Sequence, residues 1–204
     1  MINWEELKHI HVIRKLQTIL TQWFSTEVFI VDERGVVQNF DPNDKHGLKN
    51  VLVREYVQEK HRDRFFKHIA ELNEQAIKSD KKGFVAKGPA GFENVIVSRI
   101  ARGNDFHGSV YAFCYLDHQV SPTEISIARK AFEEWGVDWT SFEGAFGKLR
   151  VLADGEQKYL TELVDLVAEE IVTYHTEIAK RQERIEALTS EVGNRYSYSN
   201  MIGK

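Results

Sequence analysis

Arg99 stands inside a run that is otherwise largely apolar, NVIVSRIA at 94–101. A guanidinium drawn into such a run needs an acid of the protein or an anionic ligand, because an unpaired buried charge is costly. Further along, YAFCY alternates in size. In a strand, Tyr111, Phe113 and Tyr115 share one face, and Val110, Ala112, Cys114 and Leu116 share the other. Either face suits the lining of a small-molecule pocket. A third group, His61, Arg64 and His68, falls on one face of a helical segment and is able to hold an anion. The candidate ligand-binding residues are therefore Arg99, Tyr111, Phe113, Cys114, His61 and Arg64. A filled sheet and a solvated helix face are the plainer alternatives.

Other chemistry is absent from the pattern. No His, Cys, Asp or Glu set has zinc or non-haem iron spacing. GAFGK at 144–148 lacks the spacing of a phosphate-cradling loop, and no Ser or Thr follows its lysine. No nucleophile stands paired with a base, so the chain reads as a non-enzyme, and no cofactor is indicated. A small α+β enzyme built on Arg99 and a nearby His or Tyr is the weaker alternative.

The 204 residues are 42% hydrophobic and 28% charged, enough for one domain with a core and an appendage. A net charge of -4 argues against nucleic-acid binding by this piece. The single cysteine, Cys114, excludes a disulfide framework and fits a cytoplasmic protein. The N-terminus has no apolar signal core, and no apolar run approaches the length of a membrane span.

The elements that must position these residues follow from periodicity. Residues 3–25 read as an amphipathic helix. EVFIVDERGVVQNF reads as two strands, 27–32 and 36–40, joined at Glu33-Arg34-Gly35. Helical segments fill 51–79, and three further strands lie at 83–87, 94–101 and 107–116. Ser121, Pro122 and Glu124 start another helix with a capping box. Residues 139–152 are aromatic and read as a flap or a short extra helix. The fold class is α+β: a five-stranded antiparallel sheet flanked by helices, with the first strand central beside the last.

The chain ends in a long helix over 155–192. Leu160, Val164, Val167, Ile171, Tyr174, Ile178, Ile185, Leu188 and Val192 recur at alternating steps of four and three, with Arg181 as the polar break. That is the seam of a parallel homodimeric coiled coil. Leu163 and Leu166 lie off the seam and are expected to hold the helix to its own domain. Gly193 is expected to stop it. A single helix folded back on its domain is the alternative.

The order of elements, with IVDERGVVQNF as an opening hairpin, resembles the PAS and GAF groups of sensor domains. The leading and trailing helices look more like GAF and the PocR-type variant. The tail NRYSYSNMIGK after a coiled coil resembles the junction at which sigma-54-dependent transcription activators enter their AAA+ ATPase, with Tyr198, Ser199, Asn200, Met201, Ile202 and Gly203 matching its pattern. The resemblance implies a sensory domain at 1–154, a signalling helix at 155–192 and the start of a truncated junction at 193–204. It also implies a homodimer that passes a small-molecule or partner signal to a downstream AAA+ domain. A ligand-free dimerisation module is one alternative. The sensor region of a histidine kinase is another, since Tyr174-His175-Thr176-Glu177 loosely resembles a phospho-acceptor helix. An intervening Thr and a missing proline set it apart.

Overall fold

Continuous apolar runs in the strands require cover on both sides, and the helices supply it. A computed structural model describes residues 2–7, 10–40, 47–134, 136 and 138–202, with the backbone alone at 141 and 191–202. The elements are α1 (Trp4–Leu7), α2 (His11–Phe24), β1 (Glu27–Asp32), α3 (Val51–Tyr56), α4 (Glu59–Lys78), β2 (Gly83–Lys87), β3 (Asn94–Arg102), β4 (Asp105–Tyr115), α5 (Pro122–Glu134), α6 (Trp139–Phe146) and α7 (Asp154–Ile202). The architecture is α+β, with a four-stranded antiparallel sheet in the order β1-β4-β3-β2.

One sheet face carries Phe29, Val31, Val95, Val97, Tyr111 and Phe113 into a core closed by α3–α6. On α4 the buried positions Phe65, Ile69, Leu72 and Ala76 recur at steps of four and three, one stripe against that face. The other face carries Val28, Ile30, Ile96, Ile100, Val110 and Ala112 under α2 and α7. Asp165 of α7 accepts from the Ser98 hydroxyl at 2.6 Å, and Lys82 reaches Glu169 at 2.7 Å, so polar pairs also tie α7 to the sheet.

The expected fifth strand at 36–40 does not form, which leaves β1 at an edge rather than central. A single bridge, Val37 to Val31, remains, flanked by the Asp32 N–H donating to the Val36 carbonyl at 3.0 Å and the Gln38 N–H to the Ile30 carbonyl at 2.7 Å. The reason lies in two side chains. Buried Asp32 accepts from the backbone N–H of Arg34 and Val36, both at 2.9 Å, and curls the chain into a turn through Gly35 at φ 82°. Then Asn39 turns its carboxamide onto the edge of β1. The Ile30 N–H donates to its Oδ1 and its Nδ2 donates to the Val28 carbonyl, each at 2.7 Å. One side chain thus makes the two bonds that a paired strand would have made there.

The two faces of β4 also differ from strict alternation. Cys114 adopts φ 68°, and the register slips so that Asn94 faces Tyr115 while Val95 faces Phe113. Cys114 is the extra residue of a bulge. Beyond it the phase inverts: Cys114 and Leu116 join Tyr111 and Phe113 in the first core, and Tyr115 joins Val110 and Ala112 in the second. Asn50 holds the bulge. Its Nδ2 donates to the carbonyls of Cys114 and Ser25, while its Oδ1 caps α3 by accepting from Leu52 and Val53.

At the N-terminus the expected helix is two pieces, since Ile10 has extended backbone before α2. Ser121 and Glu124 exchange the bonds of a capping box at the start of α5. The last helix has 49 residues, roughly 73 Å at about 1.5 Å per residue. It continues through Gly193 to Ile202. A glycine within a helix costs only about 1 kcal/mol and does not by itself end one.

Candidate functional site

Tyr111, Phe113 and Cys114 come together, but as packed core. Phe113 stacks on Tyr111 at 5.9 Å and meets Phe65 edge-on at 5.2 Å. The Tyr111 hydroxyl donates to Asn73 Oδ1 at 3.3 Å, and burial pushes its pKa up. Cys114 is buried, and its thiol is pushed well above its usual range by burial first and by Glu93 second. His61 lies apart, against Phe142 at 5.3 Å, with burial lowering its pKa and both ring nitrogens unpartnered. Arg64 is exposed on α4. Arg99 is half-buried, its Nε shut off from solvent without a hydrogen-bond partner and its guanidinium 5.6 Å from the Phe106 ring. The six residues do not converge on one space.

A buried acid escaped the sequence reading. Glu93, in the turn between β2 and β3, is fully buried and accepts from the Tyr56 hydroxyl at 2.5 Å and from the Ala90 N–H at 2.9 Å. Its other oxygen has no partner. A Cβ at Gly88 would press on the Glu93 side chain and displace the bonded carboxylate. The sequence holds a weak sign of this, an acid closing the GPAGFE turn.

An open space lies at the β1 edge of the sheet. A cleft of about 580 Å³ runs between α2 and the outer edge of β1. Arg14, Gln17, Thr18 and Thr21 form its helical wall, while Val28, Phe40 and Leu48 supply apolar surface. Gln17 Nε2 is shut off from solvent with no hydrogen-bond partner. At the other end of the cleft, Glu27 Oε2 accepts from the N–H groups of Lys49 and Asn50, and burial raises its pKa against those bonds.

No protein-family model and no curated protein matches this chain. The fold and its sites therefore stand on the geometry alone. Among the described residues no group of three or more potential ligands is placed to hold a metal ion, and no helix is long and apolar enough to cross a membrane.

The seam residues of α7 divide into two sets. Leu160, Val164, Val167 and Ile171 are fully covered by the domain's own sheet and α2, and Tyr174 packs at the margin of that core. Leu166, expected to anchor the helix, is instead 38% exposed, because the seam itself turns inward. Beyond the domain, Ile178 is half-buried beside α1, Arg181 is exposed, and Ile185 and Leu188 are 62% and 53% exposed. The Val192 side chain lies outside the described residues, as does Gly203 of the tail motif. His175 sits where α7 leaves the sheet, its ring 5.7 Å from that of His107.

Proposed function

We propose that the chain is a cytoplasmic PAS- or GAF-type sensory module that pairs with a second copy through the outer half of α7 and signals along that helix to an AAA+ domain of the sigma-54-dependent activator class. The observation that carries this reading is the break in cover along one heptad seam. Its inner residues are buried in the domain, and Ile185 and Leu188 continue the same seam into solvent. An apolar seam with no intramolecular partner is stabilised by a second helix like itself. The pairing then involves Ile178, Arg181, Ile185, Leu188 and Val192, and not the positions from Leu160 to Ile171. The strand order supports the sensor class, since the last strand lies between the first and the preceding one, as in PAS domains. A signal that favours one packing of α7 against the sheet over another alters the register or rotation of the paired helices.

Light scattering tests the pairing. The wild-type chain is expected to be dimeric at tens of micromolar, and the Ile185→Ser, Leu188→Ser double variant monomeric with the domain's melting unchanged. Leu160→Ala, in contrast, should cost the domain about 2–5 kcal/mol. Arg181→Leu completes the seam and should tighten the dimer. In the protein with its ATPase it should also compress the ratio of output with and without signal. A monomeric wild type would refute the reading.

A further inference from the structure

We infer that the cleft between α2 and the edge of β1 binds a small amphipathic carboxylate, with the acid group at Arg14 and the apolar body along β1. This deepens the sensory reading and rests on it. A volume of about 580 Å³ lies within the range of small-molecule sites, about 300–1,000 Å³. Arg14, Gln17, Thr18 and Thr21 recur at steps of three and four, so they line one stripe of α2 roughly 10 Å long. Arg14 lies on that stripe with no ion pair among the described residues. One turn further on, the Gln17 side chain lines the cleft while its amide nitrogen is turned away from solvent without an acceptor, and a rotation of that side chain toward the cleft would give a ligand oxygen its N–H group.

The two ends of the cleft differ, and the difference sets the ligand's direction. Glu27 and Lys49 lie together on the lining and offset each other's charge, whereas Arg14 has no acid paired with it among the described residues. The acid group therefore belongs at the Arg14 end. A carboxylate has two oxygens, matching one guanidinium edge and one amide N–H. Between the ends, Ile13, Val28, Phe40 and Leu48 offer apolar surface to the rest of the molecule. A peptide strand is excluded at this edge, because the Asn39 carboxamide already occupies the Val28 carbonyl and the Ile30 N–H.

The test uses the whole 204-residue chain with benzoate, phenylacetate and octanoate beside the neutral benzamide, phenylacetamide and octanamide. At ten times its dissociation constant, at least one acid should raise the melting temperature by about 3–6 °C, and its amide should not. Arg14→Met should weaken that acid about 10- to 100-fold and leave the unliganded melting as it was. Gln17→Leu should raise the unliganded melting, since it removes the orphaned amide, and should also weaken the acid. Three results would each overturn the inference: no acid binds, the amides bind as well as the acids, or Arg14→Met binds like the wild type. The dimer is read separately by scattering. A monomer that binds phenylacetate through Arg14 would refute the pairing and keep the site, whereas a dimer that binds none of the acids would refute the site alone.

Discussion

The Tyr56 hydroxyl donates to Glu93 Oε1 at 2.5 Å in a fully buried setting, while Glu93 Oε2 has no partner. Burial pushes the Glu93 carboxyl above its usual value of 4.5, and the bonds from Tyr56 and Ala90 pull against it without prevailing. The folded state thus keeps the proton to a higher pH than the unfolded chain does. Between the two values the native state binds more protons, so stability falls as pH rises through that window. Glu93→Gln removes the charge and keeps an acceptor for Tyr56. From about pH 5 to about pH 8 the melting temperature of Glu93→Gln relative to that of the wild type should rise, since only the wild type loses the Glu93 contribution. Glu27, also raised by burial, leaves part of the slope in both proteins. Equal slopes would show that Glu93 does not titrate in this range.

Asn39 replaces a strand with one side chain, and its removal should expose the edge of β1. Asn39→Ala loses two bonds, to Ile30 and Val28, and should destabilise the domain by about 1–3 kcal/mol in urea unfolding. Hydrogen exchange gives the local readout. The Ile30 amide should lose protection while the amides of β4 keep theirs relative to global stability. An Ile30 amide that stays protected would mean that another acceptor takes over.

Cys114 carries the bulge in a left-handed conformation, φ 68°. A β-branched residue is poorly suited to that backbone, so Cys114→Val should cost about 1–3 kcal/mol beyond Cys114→Ala. The thiol is buried and its pKa is raised by that burial. Its labelling by a thiol reagent should therefore proceed no faster than the domain opens. Rapid labelling of the native chain would contradict the packed position.

Local rules in the sequence determined much of the frame. The capping box at Ser121 and Glu124, the apolar run of β3 and the heptad steps in α7 each act within a few residues, and each is legible there. Their energies depend on neighbours along the chain. Composition and periodicity also determined the α+β class. What they left open was what each surface would meet. The seam at Leu160–Ile171 and the seam at Ile185–Leu188 have the same pattern, but only the first faces a sheet.

The tertiary structure decided the rest through contacts distant in sequence. Asn39 satisfies β1 across a turn shaped by Asp32, and this removed the fifth strand that the β-branched letters promised. Asn50 reaches Cys114, 64 residues away, and holds the bulge that reverses the faces of β4. Tyr56 meets Glu93 across 37 residues, and nothing near either one announces the other. The cleft at Arg14 lies between α2 and the edge of β1, and no run of residues contains it. Periodicity records which side of an element is apolar. Which neighbour covers that side, and where cover ends, is decided only when the whole chain is packed.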